Sequence, residues 1–160
     1  MCMAHVHDIP TAHTPPGGYG DTMPPPVLGD CDDPLPESVP DLRGTWRVVD
    51  ASAAGKRLPA DHPIRQHVER IEQAGNRIVV TSSGIIHDMV ADGTFENGVN
   101  DVMALDFATP ITVAATFEDG VLVLRPKDAP GVEVRRWREG DELVWRFHTA
   151  FTTRSMRADA

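Results

Sequence analysis

The chain has 160 residues, 41% hydrophobic and 24% charged, and its 24 acidic against 15 basic residues give a formal net charge of −9. Such a composition argues for one globular domain with an appendage and against nucleic acid or an anionic membrane as partner, since both reward clustered Lys and Arg. No run approaches the ~18–20 apolar residues of a membrane span, and Met1-Cys2-Met3-Ala4-His5 lacks the basic and apolar regions of a secretory signal, so membrane insertion is not expected and the cytoplasm is the expected compartment.

Residues 1–40 stand apart in composition. They hold Pro15-Pro16, Pro24-Pro25-Pro26, Gly17-Gly18 and the acidic Asp30–Asp33 segment around Cys31. Proline offers no backbone donor and glycine adds chain entropy, so little helix or sheet is expected here. The segment reads as a flexible tail or an extended strap that buries little and is dispensable for folding. Both cysteines, Cys2 and Cys31, fall within it, so no disulfide is expected to hold the domain. Cys2, His5, His7 and His13 match no standard zinc spacing, and no metal site is predicted.

The domain proper is expected over residues 41–160. Trp46, Val48 and Val49 suit a first strand, and Ala51–Asp61 reads as loop. Ile64–Ala74 admits two readings: a helix capped by Asp61 with Pro63 in its first turn, or a strand leading through Gly75-Asn76 into Arg77–Ser82. The second half favours the strand, and a short helix fits the first. Ile85–Ala91 forms another strand, ended by Asp92-Gly93, and Thr94–Leu105 a broken one with Asn97-Gly98 as turn or bulge. From Ile111 onward the period of two is clean. Ile111, Val113, Ala115 and Phe117 alternate with Thr112, Ala114 and Thr116, then Asp119-Gly120 makes a tight hairpin into Val121–Arg125. Val132–Arg138, Glu142–His148 and Phe151–Arg157 complete a meander, with Leu143, Trp145 and Phe147 on one face. The expectation is an all-β, up-and-down antiparallel barrel of about 8–10 strands.

Gly44-Thr45-Trp46 opening such a barrel, followed by a meander that ends in a basic strand, resembles the calycins, that is, lipocalins and intracellular fatty-acid-binding proteins. The resemblance covers Asp41 to Arg157, and Phe117-Glu118-Asp119-Gly120-Val121-Leu122-Val123 looks like the late hairpin of the fatty-acid-binding group. It implies a small, mainly apolar, possibly anionic and fatty-acid-like ligand inside the barrel, with no cofactor. It further implies two inward arginines that grip a ligand carboxylate, Arg136 and Arg154, with Met156 standing where the family has a tyrosine. Gly44 and Trp46 are then structural, Trp46 plugging one end and stacking on Arg157 or Arg154.

Strand parity on its own puts Arg136 with Val132 and Val134, and Arg154 with Thr152 and Met156. Trp145, Phe147 and His148 complete the candidate ligand-binding residues. An inward arginine needs an anion or acceptors, because an unpaired buried charge is strongly penalised, and its planar fork suits a carboxylate. Two alternatives remain. His148 could ligate haem in a nitrobindin-like barrel, although Trp46 is followed by Arg47-Val48-Val49-Asp50 rather than that group's glycine pattern. His87 could act as a base in a small barrel enzyme, but Asp88 next to it should face the other way. No nucleophile elbow or glycine-rich phosphate loop is present, and no catalytic residue is assigned.

Overall fold

The computed structural model describes residues 5–82 and 84–158. In chain order the strands are β1 (Gly44–Ala53), β2 (Lys56–Arg57), β3 (Val68–Ala74), β4 (Arg77–Ser82), β5 (Ile85–Val90), β6 (Val99–Val102), β7 (Pro110–Glu118), β8 (Val121–Pro126), β9 (Val134–Glu139), β10 (Glu142–Phe147) and β11 (Phe151–Arg157). They form one eleven-stranded sheet in the order β5-β4-β3-β1-β11-β10-β9-β8-β7-β6, with β2 a short hairpin partner of β1. Every ladder is antiparallel. The two end strands come side by side without a ladder, joined by Val90 N–H to the Asn97 carbonyl at 2.8 Å and by the His87 ring to the Val102 carbonyl at 3.0 Å. The result is a nearly closed barrel. Among the described residues no helix is long and apolar enough to cross a membrane.

Local chemistry explains where the strands stop. Asp119 and Gly120 both take positive φ, 51° and 80°, the backbone that a two-residue hairpin needs. The 64–74 segment divides: Pro63–Gln66 is a single 3-10 turn whose first N–H, that of Ile64, is capped by the His62 ring at 3.2 Å, and the strand begins at Val68. In the stretch expected as a broken strand only Val99–Val102 pairs. Before it, the Asp92 carboxylate gathers Thr94 N–H, the Thr94 hydroxyl and the Asn97 amide at 3.0, 2.7 and 2.7 Å, holding a loop instead. The residues after Asp50 were expected as loop, yet β1 continues to Ala53 and turns into β2, which brings the strands to eleven. A bulge between Val48 and Asp50 leaves Val49 exposed and returns Ala51 to the inner face.

Trp46 anchors the core. It is fully buried, its Nε1–H donates to the Leu42 carbonyl at 2.9 Å, and its ring packs among Leu42, Ile71, Ile78, Met89, Leu122 and Leu143. Arg157, its register partner on β11, lies 4.5 Å over the ring, and Arg138 lies 5.8 Å from it. Arg157, not Arg154, therefore makes the stack. At Gly44 a Cβ would sit 2.9 Å from Arg157 Nε, so glycine is what lets that side chain approach.

The N-terminal segment is an extended strap across the outer face of β3, β4 and β5. Val6 and Leu28 are buried with Ala74, Val79 and Ile86, and Ile9, Ala12, Tyr19, Val27 and Cys31 pack against them. The expectation that this segment buries little is thus overturned. Proline and glycine deny it a ladder of its own, but its carbonyls and a few N–H groups still bond to side chains of the barrel wall. The Glu72 carboxylate accepts Val27 N–H and Leu28 N–H at 3.1 and 2.7 Å, and Arg70 donates to the Pro24 carbonyl at 2.7 Å. Thr14 spans the gap at the sheet ends. Its hydroxyl exchanges bonds with the Ile86 carbonyl and N–H at 3.1 and 3.0 Å, and its own N–H donates to Asp101 at 3.0 Å. Cys2 lies outside the described residues; among them no three metal-ligating side chains converge.

Candidate functional site

Arg136 points into the barrel. Its register partners are Leu122 on β8 and Trp145 on β10, and it reaches across the interior to Glu69 on β3. Nε donates to one carboxylate oxygen at 2.8 Å and Nη2 to the other at 3.1 Å. Both side chains are buried, 8% and 2% exposed, which makes this a closed two-point pair in an apolar wall. The His67 ring, at the entry to β3, adds a contact of 2.7 Å to the same carboxylate. Burial by itself would raise the Glu69 carboxyl, but the Arg136 charge and the bonds from His67 and Arg136 outweigh it and hold the group at about 2. Glu69 is therefore ionised at neutral pH and the pair carries no net charge.

Aromatic rings lead from this cluster to the barrel's end. Trp145 stacks on Arg136 at 4.9 Å and lies tilted against His67 at 4.7 Å. Phe151 meets Trp145 edge-on at 4.9 Å, and Phe147 stacks on Phe151 at 5.4 Å while remaining 41% exposed. Two polar atoms beside these rings have no hydrogen-bond partner among the described residues: Trp145 Nε1 and Thr153 Oγ1, both buried. Trp145 and Thr153 are register partners on β10 and β11.

The expected arginine pair does not form. Leu143 and Trp145 face inward and pair with Ser155 and Thr153, so the intervening Arg154 and Met156 take the outer face. Arg154 forms ion pairs there with Glu139 and Glu142 at 2.9 and 3.1 Å, and Met156 is 46% exposed. Arg136 and Arg154 therefore cannot grip one carboxylate, because β11 turns Thr153 and Ser155 inward and Arg154 outward. Of the other candidates, Trp145 lines the interior, Phe147 stands at its rim, Trp46 is buried in the core and Gly44 lies against Arg157 Nε.

His148 was expected at a strand end. It lies instead in the exposed β10–β11 turn with φ 48°, its N–H bonded to the Glu133 carbonyl at 2.9 Å. It borders a surface hollow of about 100 Å³ between the β1–β2 and β10–β11 turns. His87 does face inward, but its Nε2 is engaged by the Val102 carbonyl, and burial keeps its pKa below the usual imidazole value. Asp88 points to the opposite face, as alternation requires, where it bonds to Arg77.

No family model matches the chain, and no curated protein matches it in sequence. Among solved structures, human cRBP IV superposes with a TM-score of 0.55 at 16% sequence identity, over 74% of this chain and 98% of that one. The agreement is one of fold, which in this chain is a nearly closed antiparallel barrel with two short 3-10 turns and no α-helix among the described residues. This chain has the calycin fold in its fatty-acid-binding-protein-like form.

Proposed function

We propose that the barrel binds a small, mainly apolar molecule in its interior, admitted past Trp145, Phe147 and Phe151. The observation that carries this reading is the run of ring contacts from exposed Phe147 through Phe151 and Trp145 to a charge-neutral polar cluster inside an apolar wall. Barrels of this kind hold ligands within the sheet, lined by apolar side chains with a few placed polar groups. The structural neighbour cRBP IV is by its name a retinol-binding protein, which supports the same class of ligand here. The fatty-acid-like form of the reading loses its two-arginine grip, since Arg136 is engaged by Glu69 and Arg154 lies outside.

Titration with a neutral, polarity-sensitive naphthalene ketone dye tests the proposal. Saturable binding with a blue-shifted emission, competed by other apolar molecules and weakened by Phe151→Asp, is expected. Absence of saturable binding, or binding unaffected by that substitution, would overturn it.

A further inference from the structure

We infer that the polar end of the ligand is an uncharged hydroxyl or carbonyl group, held by Trp145 Nε1 and Thr153 Oγ1. This rests on the proposed interior binding and adds the chemistry of the head group.

Two observations meet at this point. Thr153 is fully buried and its hydroxyl oxygen has no partner among the described residues; the buried Trp145 Nε1 is in the same state on the adjacent strand. Buried polar atoms are overwhelmingly bonded, and each exception needs an explanation. Their chemistry is complementary. An indole N–H only donates, whereas a threonine hydroxyl both donates and accepts. A carbonyl oxygen can accept from both, and a hydroxyl can accept from the indole while exchanging a bond with the threonine.

Charge decides against an acid. Arg136, stacked on the same indole, is already neutralised by Glu69 at two points, and Glu69 is ionised. Arg138 and Arg157 lie over the Trp46 ring, and Arg154 is on the outer face. A carboxylate brought to Trp145 would be a buried negative charge added beside ionised Glu69, and Arg136, the arginine stacked on that indole, is already engaged by Glu69 at two points. An uncharged head meets no such penalty and fills both orphaned valences.

Three probes of one shape test this on the full chain: naphthalene, 2-acetonaphthone and 2-naphthoate, each measured by competition against the neutral dye. The ketone should bind roughly tenfold more tightly than naphthalene, as one or two net hydrogen bonds imply, and the naphthoate more weakly than either. Thr153→Val and Trp145→Phe should each bring the ratio of ketone to naphthalene affinity down toward one; Thr153→Ser, which keeps the hydroxyl, should retain the ketone's advantage. Tightest binding by naphthoate overturns the inference, and so does equal binding of ketone and naphthalene, which would assign the two atoms to a buried water. Both results leave interior binding intact, whereas failure of all three probes and the dye to bind removes the interior reading itself.

Discussion

Two buried arginine–carboxylate pairs sit on opposite faces of this sheet, and their surroundings differ. On the outer face, Arg77 meets both oxygens of Asp88 at 2.9 and 2.6 Å and spends its other N–H groups on the carbonyls of Val6, Ile9 and Pro10. Asp88 takes a further bond from Ala12 N–H at 2.9 Å. On the inner face, Arg136 and Glu69 are equally well joined, but their neighbours are aromatic rings and two orphaned polar atoms. The first pair fastens two parts of the chain together. The second leaves hydrogen-bonding capacity beside it, which is what a ligand needs to find.

The sharpest way to break this contrast is to remove the strap. Deleting residues 1–40 exposes Ala74, Val79 and Ile86 and strips the backbone partners from Arg77 and Glu72. A loss of several kcal/mol is expected, since apolar burial and bonds to charged groups go together, and calorimetry should show a much lower or non-cooperative transition. An unchanged melting temperature would mean that the outer pair fastens nothing.

Single substitutions separate the two pairs. Asp88→Ala leaves Arg77 buried and uncompensated, and should cost about 3–5 kcal/mol by urea unfolding without changing which naphthalene probe is preferred. Glu69→Gln should also destabilise, but it frees the Arg136 charge inside the barrel. The preference should then swing toward 2-naphthoate. If Asp88→Ala shifts that preference as strongly, the two faces are not functionally distinct.

Acid titration gives a smaller effect with a defined sign. The Glu69 carboxyl is held at about 2 in the folded chain against an ordinary value of 4.5. A depressed carboxylate pKa contributes stability that is complete above the unfolded value and is lost as pH falls toward the folded one. Urea midpoints measured from pH 6 down to pH 2.5 should therefore decline below about 4.5, and Glu69→Gln should flatten part of that decline. Parallel curves for the two proteins would show that Glu69 is not held in its charged form by Arg136.

The contrast between the faces also shows what strand periodicity reveals. Alternation along β7, β8 and β10, whose inward rows are apolar, located the meander and put Trp145 on the apolar face, while parity in β9 put Arg136 with Val134. It could not say which face of β11 is inward, because Thr153, Ser155 and Arg157 face the interior and no hydrophobic row marks the phase; an inward Arg154 is implied by the resemblance alone. Glu69 was visible in principle. It shares parity with Ile71 and Gln73, and a carboxylate on an apolar face needs a cation across the barrel; the neighbouring row of Val68, Arg70 and Glu72 obscured which face was buried. The strap's role had no local signal, since its partners Glu72, Arg77 and Asp88 are 40 or more residues away in sequence.

The least perturbing experiment asks whether an orphaned hydroxyl marks a binding position at all. Thr81, on the outer face of β4, is fully buried and its Oγ1 also lacks a hydrogen-bond partner among the described residues, as does Nε of its register partner Arg70, which lies 3.7 Å from the Glu72 carboxylate. The two orphaned threonines are alike in burial and differ in setting: Thr81 lies on the face that the strap crosses, Thr153 beside the rings that lead to the barrel's end. Replacing a buried unsatisfied hydroxyl with a methyl removes a desolvation penalty, so Thr81→Val and Thr153→Val should each shift stability by about 1 kcal/mol or less, toward greater stability. Binding should tell them apart. Thr81→Val should leave the affinity for 2-acetonaphthone unchanged, while Thr153→Val should bring it down toward that of naphthalene. Equal loss in both variants would mean that the effect travels through the sheet rather than through a contact, and Thr153 would then be no more part of a binding position than Thr81.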